Sequence, residues 1–183
     1  MEKNILITGG TKGIGFAVAK SLVTAGYNVI LTYGSDFHQA EKARMELHQA
    51  GKTTVMVVKA DITEKKSIDI LDDFLAEHNI RLFSVVFNAG ITCRTPFESM
   101  TIDEWEQTFF ANLHFPVFLL QRIVHRIDKG GNVLFTGSLM GEYAHSVSLA
   151  YGVSKSAVHA LVKNLVKFMQ PFSIRVNAVA PGF

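Results

Sequence analysis

Short runs of valine, isoleucine, leucine and phenylalanine alternate with longer helical patterns from one end of this chain to the other, and that alternation admits few folds. Strands are predicted at residues 4–7, 28–32, 53–59, 82–87, 132–136 and 174–178, with helices at 14–26, 37–50, 64–78, 102–127 and 149–169. Most of the strand segments are continuously apolar, the pattern of strands covered on both faces. Strand–helix alternation of this kind implies a parallel sheet with right-handed crossovers, a doubly wound three-layer α/β/α architecture. With 183 residues and no linker, repeat or low-complexity tract, the chain is read as a single domain.

Composition narrows the partners. The net charge is +2, without a lysine or arginine run, which disfavours nucleic acid and anionic membrane surfaces. Cys93 is the only cysteine, so no intrachain disulfide forms and a reducing compartment is expected. The N-terminus has too short an apolar run for a signal peptide, and the apolar stretch 108–121 contains His114 and Pro116 and is too short to span a bilayer. These features predict a cytoplasmic protein. The seven histidines show no metal-ligand spacing with one another or with Cys93, and no metal is expected.

The first strand runs directly into Thr8-Gly9-Gly10-Thr11-Lys12-Gly13-Ile14-Gly15 and then a helix. Such a turn lets backbone amides and a helix N-terminus face a pyrophosphate, with glycine where a side chain would hold the phosphate away. The spacing Gly9, Gly13, Gly15 departs from the common G-x-G-x-x-G fingerprint. A ribose 2′-hydroxyl usually meets an acid at the end of the second strand, whereas this strand ends Leu31-Thr32-Tyr33, with no acid before Asp36. Asp36 reads as the N-cap of the next helix, and Lys12 is placed to reach a 2′-phosphate. NADP(H) is therefore expected over NAD(H). Two more helix starts carry cap signals, Thr63 with Glu64 and Thr101 with Asp103 and Glu104; Gly26, Gly51 and Gly130-Gly131 follow three helix ends, where a left-handed residue is wanted.

Four further segments converge on this loop if the sheet is doubly wound: Ala60-Asp61-Ile62-Thr63, Asn88-Ala89-Gly90, Thr136-Gly137-Ser138 and Tyr151-Gly152-Val153-Ser154-Lys155. Pro181-Gly182 follows the last strand. In this order and spacing, the motifs resemble the short-chain dehydrogenase/reductase family across nearly the whole chain. The resemblance implies that Asp61, with Ile62 beside it, holds the adenine, and that Asn88, Ala89 and Gly90 flank the ribose. It implies that Ser138, Tyr151 and Lys155 are catalytic and that Asn112, matching a fourth catalytic position, supports Lys155 through water. Chemistry agrees. Tyr151 and Lys155 stand at i and i+4 on one helix face, and an ammonium favours the phenolate form of a nearby phenol, otherwise a poor acid–base catalyst near neutral pH. The phenol would protonate the developing alkoxide while Ser138 hydrogen-bonds the substrate oxygen.

Within the family, Asn88-Ala89-Gly90-Ile91-Thr92, Trp105 and the closing segment 176–183 look like 3-oxoacyl-acyl-carrier-protein reductases, implying NADPH-dependent reduction of a carrier-bound 3-oxoacyl thioester in fatty acid biosynthesis. The acidic carrier would need basic docking residues near the site mouth. Lys129 occupies one position where the resemblance expects a cation, and Phe172 occupies the other. The alternatives are another NADP(H)-dependent carbonyl reductase or secondary alcohol dehydrogenase on a small-molecule substrate, and a non-catalytic dinucleotide-binding protein. The apolar residues crowding the helices at 102–127 and 149–169 exceed one buried stripe, and the resemblance implies their pairing in a homo-dimer or homo-tetramer. Phe183 follows Pro181-Gly182 at once, where the family normally continues through substrate-covering helices and a further strand. The chain thus reads as a fragment that, made alone, would bind NADPH weakly and turn over poorly.

Overall fold

The computed structural model describes residues 3–146 and 148–182; Met1, Glu2 and Phe183, which entered the sequence reading, lie outside them. Six strands, β1 (Asn4–Ile7), β2 (Asn28–Tyr33), β3 (Val55–Lys59), β4 (Leu82–Phe87), β5 (Ile127–Thr136) and β6 (Arg175–Val179), form one sheet in the order β3-β2-β1-β4-β5-β6. Every pairing is parallel. The order reverses between β1 and β4, so the crevice beyond their carboxyl ends is the place where such a sheet binds ligands.

Side chains alternate along each strand and feed two cores. Ile5, Ile7, Val29, Leu31 and Val86 pack with Ala19 and Val23 of α1 (Gly13–Thr24) and Leu47 of α2 (Phe37–Ala50). On the other face Leu6, Ile30, Val85, Phe87 and Phe135 meet three helices: α3 (Lys66–Glu77), α5 (Phe115–Ile123) and α6 (Leu149–Met169). This is the three-layer architecture read from the sequence.

The helix read as continuous over 102–127 is instead α4 (Ile102–Phe109), a π turn at Phe110–His114, α5 and a 3₁₀ turn at Val124–Arg126. Pro116 supplies the physical reason. It has no N–H to offer the carbonyl four residues back, which belongs to Asn112, and its ring crowds that carbonyl. Strand β5 begins at Ile127, with its register to β4 broken between Leu82 and Ser84, where Gly130 takes φ +82°.

The cap readings divide. Asp36 caps α2 by accepting from the Gln39 amide at 2.9 Å, and Thr101 and Glu104 form a reciprocal capping box on α4. Thr63 caps nothing, because α3 starts at Lys66; it folds back on Asp61 in a tight turn. Gly26 is left-handed, whereas Gly51 is extended at φ −161°. A Cβ on Gly51 would stand 2.6 Å from the Val23 carbonyl oxygen, so this glycine permits a close approach between α1 and α2.

Candidate active site

At the carboxyl end of β1 the loop Thr8–Lys12 turns into α1. A Cβ on Gly15 would lie 2.4 Å from the Gly9 carbonyl oxygen and 2.6 Å from Asn88 Nδ2, so only glycine lets the helix start this close to the loop. Lys12, the N-cap residue, is extended, and no side chain caps α1, whose first amides and positive dipole end therefore face the crevice. Ile14 is exposed there, as is Lys12. Phosphate oxygens suit such a cradle.

Two neighbouring strands brace the loop. Thr32 Oγ1 accepts from the Gly9 amide at 3.1 Å, and Gln39 Nε2 donates to the Thr11 carbonyl at 3.0 Å. On the β4 side, Thr8 Oγ1 accepts from the amides of Asn88 and Ala89, while Asn88 Nδ2 donates to the carbonyls of Thr8 and Gly9. Asn88 therefore holds the turn's shape with its amide, and Gly90 follows beside Asn112 and Lys155. Tyr33 lies half-buried at the end of β2, its carbonyl accepting from the Ala60 amide at 2.8 Å. Asp61 Oδ1 accepts from both the amide and the hydroxyl of Thr63, and the Ile62 side chain turns into the core.

Across the crevice, Ser138, Tyr151, Pro181 and Gly182 line one cavity of about 260 Å³, together with Ile14, Thr92, Arg94, Thr136, Gly137, Leu139 and Met140. The Ser138 hydroxyl oxygen accepts from the Met140 amide at 3.1 Å, leaving its proton to donate. Tyr151 sits in the first turn of α6, capped by Ser148 Oγ. Lys155, one turn on, is 4% exposed; its Nζ donates to the Thr136 carbonyl at 2.7 Å and stands 5.6 Å from the Tyr151 ring centroid. Burial lowers its pKa to about 8, because desolvation penalises the ammonium.

Asn112 is buried, and its side chain is fully engaged. Oδ1 accepts from the Ile91 amide at 2.8 Å, and Nδ2 donates to the Ile91 carbonyl and to Ser154 Oγ, each at 3.0 Å. It ties the loop after β4 to α6, with no direct bond to Lys155.

Other expectations change. Lys129 and Phe172 sit together, the Gly130 amide donating to the Ser173 carbonyl at 2.9 Å, at the amino ends of β5 and β6. Within one protomer the sheet thus separates them from Ser138. The physical reason is the length of β5, which already runs at Ile127 and carries Lys129 away from Thr136. Two residues were missed as site elements. His159, noted in the sequence only among histidines without metal-ligand spacing, places its ring behind Ser138. Arg94, a cation shortly after the Asn-Ala-Gly turn, reaches the cavity wall.

Comparison with known proteins agrees with this geometry. The short chain dehydrogenase family matches residues 3–183. An uncharacterized oxidoreductase of Bacillus subtilis, YmfI, is 30% identical over all of this chain and 75% of its own length. The 5-keto-D-gluconate 5-reductase of Escherichia coli K12 is 33% identical over 99% of this chain and 71% of its own. A crystal structure of a short chain dehydrogenase from Burkholderia cenocepacia in complex with NADP superposes with a TM-score of 0.92 at 28% identity, covering 98% of this chain and 74% of that one.

Proposed function

This chain belongs to the short-chain dehydrogenase/reductase family, and from that premise we propose that it is an NADP(H)-dependent reductase of a small ketone, running also in reverse as a secondary alcohol dehydrogenase. The observation that carries this reading is the single cavity shared by the Ser138 hydroxyl and Tyr151, with the Lys155 ammonium buried beside the phenol. The uncapped start of α1, the braced glycine loop and Lys12 would hold the dinucleotide's phosphates, with Tyr33 and Asp61–Ile62 at the adenosine end and Asn88–Gly90, Lys155 and Pro181–Gly182 nearer the nicotinamide. When bound, that group would supply a hydride to the substrate carbon.

The chain's own residues do the rest. Ser138 donates a hydrogen bond to the substrate carbonyl oxygen and so stabilises charge developing there. Tyr151 delivers its phenolic proton to the same oxygen. Lys155, anchored on the Thr136 carbonyl, stabilises the resulting phenolate. Asn112 keeps the Ile91 loop and α6 in register, so the donors stay aimed at one point.

Three observations favour NADP(H) over NAD(H). Asp36 is engaged as a helix cap, β2 ends without an acid, and the Burkholderia relative holds NADP. A 3-oxoacyl thioester fits the chemistry, and the Asn88–Thr92 turn supports it. Phe172, standing where the resemblance expects the second docking cation, favours a free ketone over a carrier-bound one. Exposed Phe118 on α5 and Val166 on α6 support self-association, which light scattering at micromolar concentration would reveal. The test of function follows NADPH absorbance against short ketones and acetoacetyl thioesters. Tyr151→Phe should abolish reduction with little change in NADPH affinity, because the hydroxyl acts in the transition state. Retention of more than a small fraction of activity would overturn the assignment.

A further inference from the structure

We infer that Arg94 selects the substrate: the cavity takes a ketone that carries a carboxylate, which the guanidinium grips while Ser138 and Tyr151 engage the carbonyl oxygen. The inference rests on the reductase reading and specifies its substrate class.

The chemistry of the wall leads there. Among the described residues Arg94 is the only charged side chain in the cavity lining; the rest are Ser138, Tyr151, two threonines, two glycines and apolar groups. Arg94 is exposed, and no ion pair or hydrogen bond joins it to any described residue, so its five donors are open to a ligand. A planar guanidinium fork matches the two oxygens of a carboxylate, a geometry a lysine does not reproduce. The remaining donors in the cavity suit one neutral oxygen, as a ketone presents.

The arginine is also held in place. Ile91 is clamped through both its amide and its carbonyl by Asn112, and Thr95 Oγ1 donates to Glu104 Oε1 at 2.5 Å. Only Thr92, Cys93 and Arg94 lie between those two anchors. Glu104, the acid at that anchor, is committed elsewhere. The Thr101 amide, followed by the Thr95 and Thr101 hydroxyls, holds its carboxyl below the usual range, and the same bonds keep it off Arg94. The positive charge at the cavity wall is therefore left without a carboxylate partner among the described residues. With about 260 Å³ available, the acid must be short-chained.

The experiment pairs pyruvate, acetoacetate and levulinate each with its methyl ester, which keeps the ketone and removes the charge. Reduction by NADPH is followed for the unaltered protein, Arg94→Met and Arg94→Lys, and calorimetry measures binding of each acid and ester to the NADPH-loaded protein. For at least one chain length the acid should exceed its ester in kcat/KM and in affinity by about fivefold or more, the upper end of what an exposed ion pair provides. That preference should shrink with added salt, collapse toward unity in Arg94→Met and persist in part in Arg94→Lys. Acids and esters that perform alike at every chain length, or a preference that survives in Arg94→Met, would overturn the inference. If no ketone is reduced, the reductase reading fails, yet calorimetry still decides whether Arg94 binds the carboxylate. An acid preference in binding alone upholds the site, and none refutes it.

Discussion

The imidazole of His159 stands directly behind Ser138: its Nε2 accepts from the Ser138 amide at 3.4 Å, while Nδ1 faces Glu142 Oε1 at 2.7 Å, off the line of a good hydrogen bond. A Cβ on Gly137 would fall 2.2 Å from that Nε2, so glycine before the serine is what admits the ring. The Ser138 backbone is thus met from behind by a side chain that does not line the cavity.

His159→Leu removes the acceptor and leaves a buried amide unpaired, which costs about 1–3 kcal/mol. Reduction should lose about tenfold or more in kcat, a displacement of the Ser138 donor worth about 1.4 kcal/mol, with NADPH affinity nearly unchanged. His159→Gln, which keeps an acceptor, should restore part of kcat. Steady-state kinetics beside NADPH titration checks both, and an unaltered kcat in His159→Leu would remove the positioning role.

Lys155 predicts two pH effects. In the proposed mechanism its ammonium serves proton transfer, so kcat/KM for reduction should fall as pH rises through about 8. Stability should move the other way. Desolvation depresses the folded-state pKa below the unfolded value of 10.5, so the charged lysine is a penalty fully present below about pH 8. That penalty is relieved as pH climbs from about 8 toward 10.5, where the unfolded chain still binds the proton and the folded one does not. Lys155→Met should therefore raise the thermal midpoint of the ligand-free protein near neutral pH, by roughly 2–4 °C per kcal/mol relieved, while abolishing reduction. Calorimetric melts of both proteins at several pH values test the sign.

Lys12→Ala should weaken NADPH selectively. Lys12 is exposed beside the glycine loop, and only NADPH carries a 2′-phosphate for it to meet. Fluorescence titration at fixed ionic strength should show NADPH losing severalfold and NADH almost nothing; equal losses would place the lysine elsewhere on the dinucleotide.

Asn112→Leu should be costly in two ways. It strands the Ile91 amide and carbonyl and removes the tie to Ser154, a loss of about 1–3 kcal/mol for each buried group left unpaired. It also frees the segment carrying Arg94, so KM for oxo acids should rise more than KM for their esters. Denaturant melts and the two KM values together test the coupling.

Much of this was legible in the chain. Continuous apolar strands and the β1–loop–α1 sequence announce the parallel sheet and the phosphate cradle, because both depend on local backbone requirements. The family resemblance marked Ser138, Tyr151 and Lys155 as candidates, and the structure brings Ser138 and Tyr151 to one cavity with Lys155 a helical turn on. The bonds of Asn112 were not: they join residues distant in sequence, and only its buried position in an apolar helix hinted at them. Pro116 did signal the break in the helix, since a proline there denies Asn112 its helical donor, yet the hydrophobic pattern ran on through it. His159 escaped notice because a lone histidine on an amphipathic helix usually faces core or solvent, and its meaning depends on the glycine it packs against. Arg94 escaped because a loop cation has no period to betray it.

The bare start of α1 has one more consequence. A helix left without a cap gives up stability that a bound anion restores, and anything that binds the folded chain alone shifts the population away from the unfolded one. Proteases that attack the opened chain would cut it more slowly when dinucleotide is plentiful and faster when it is scarce. The lifetime of the protein in a cell then becomes a readout of how much cofactor that cell holds.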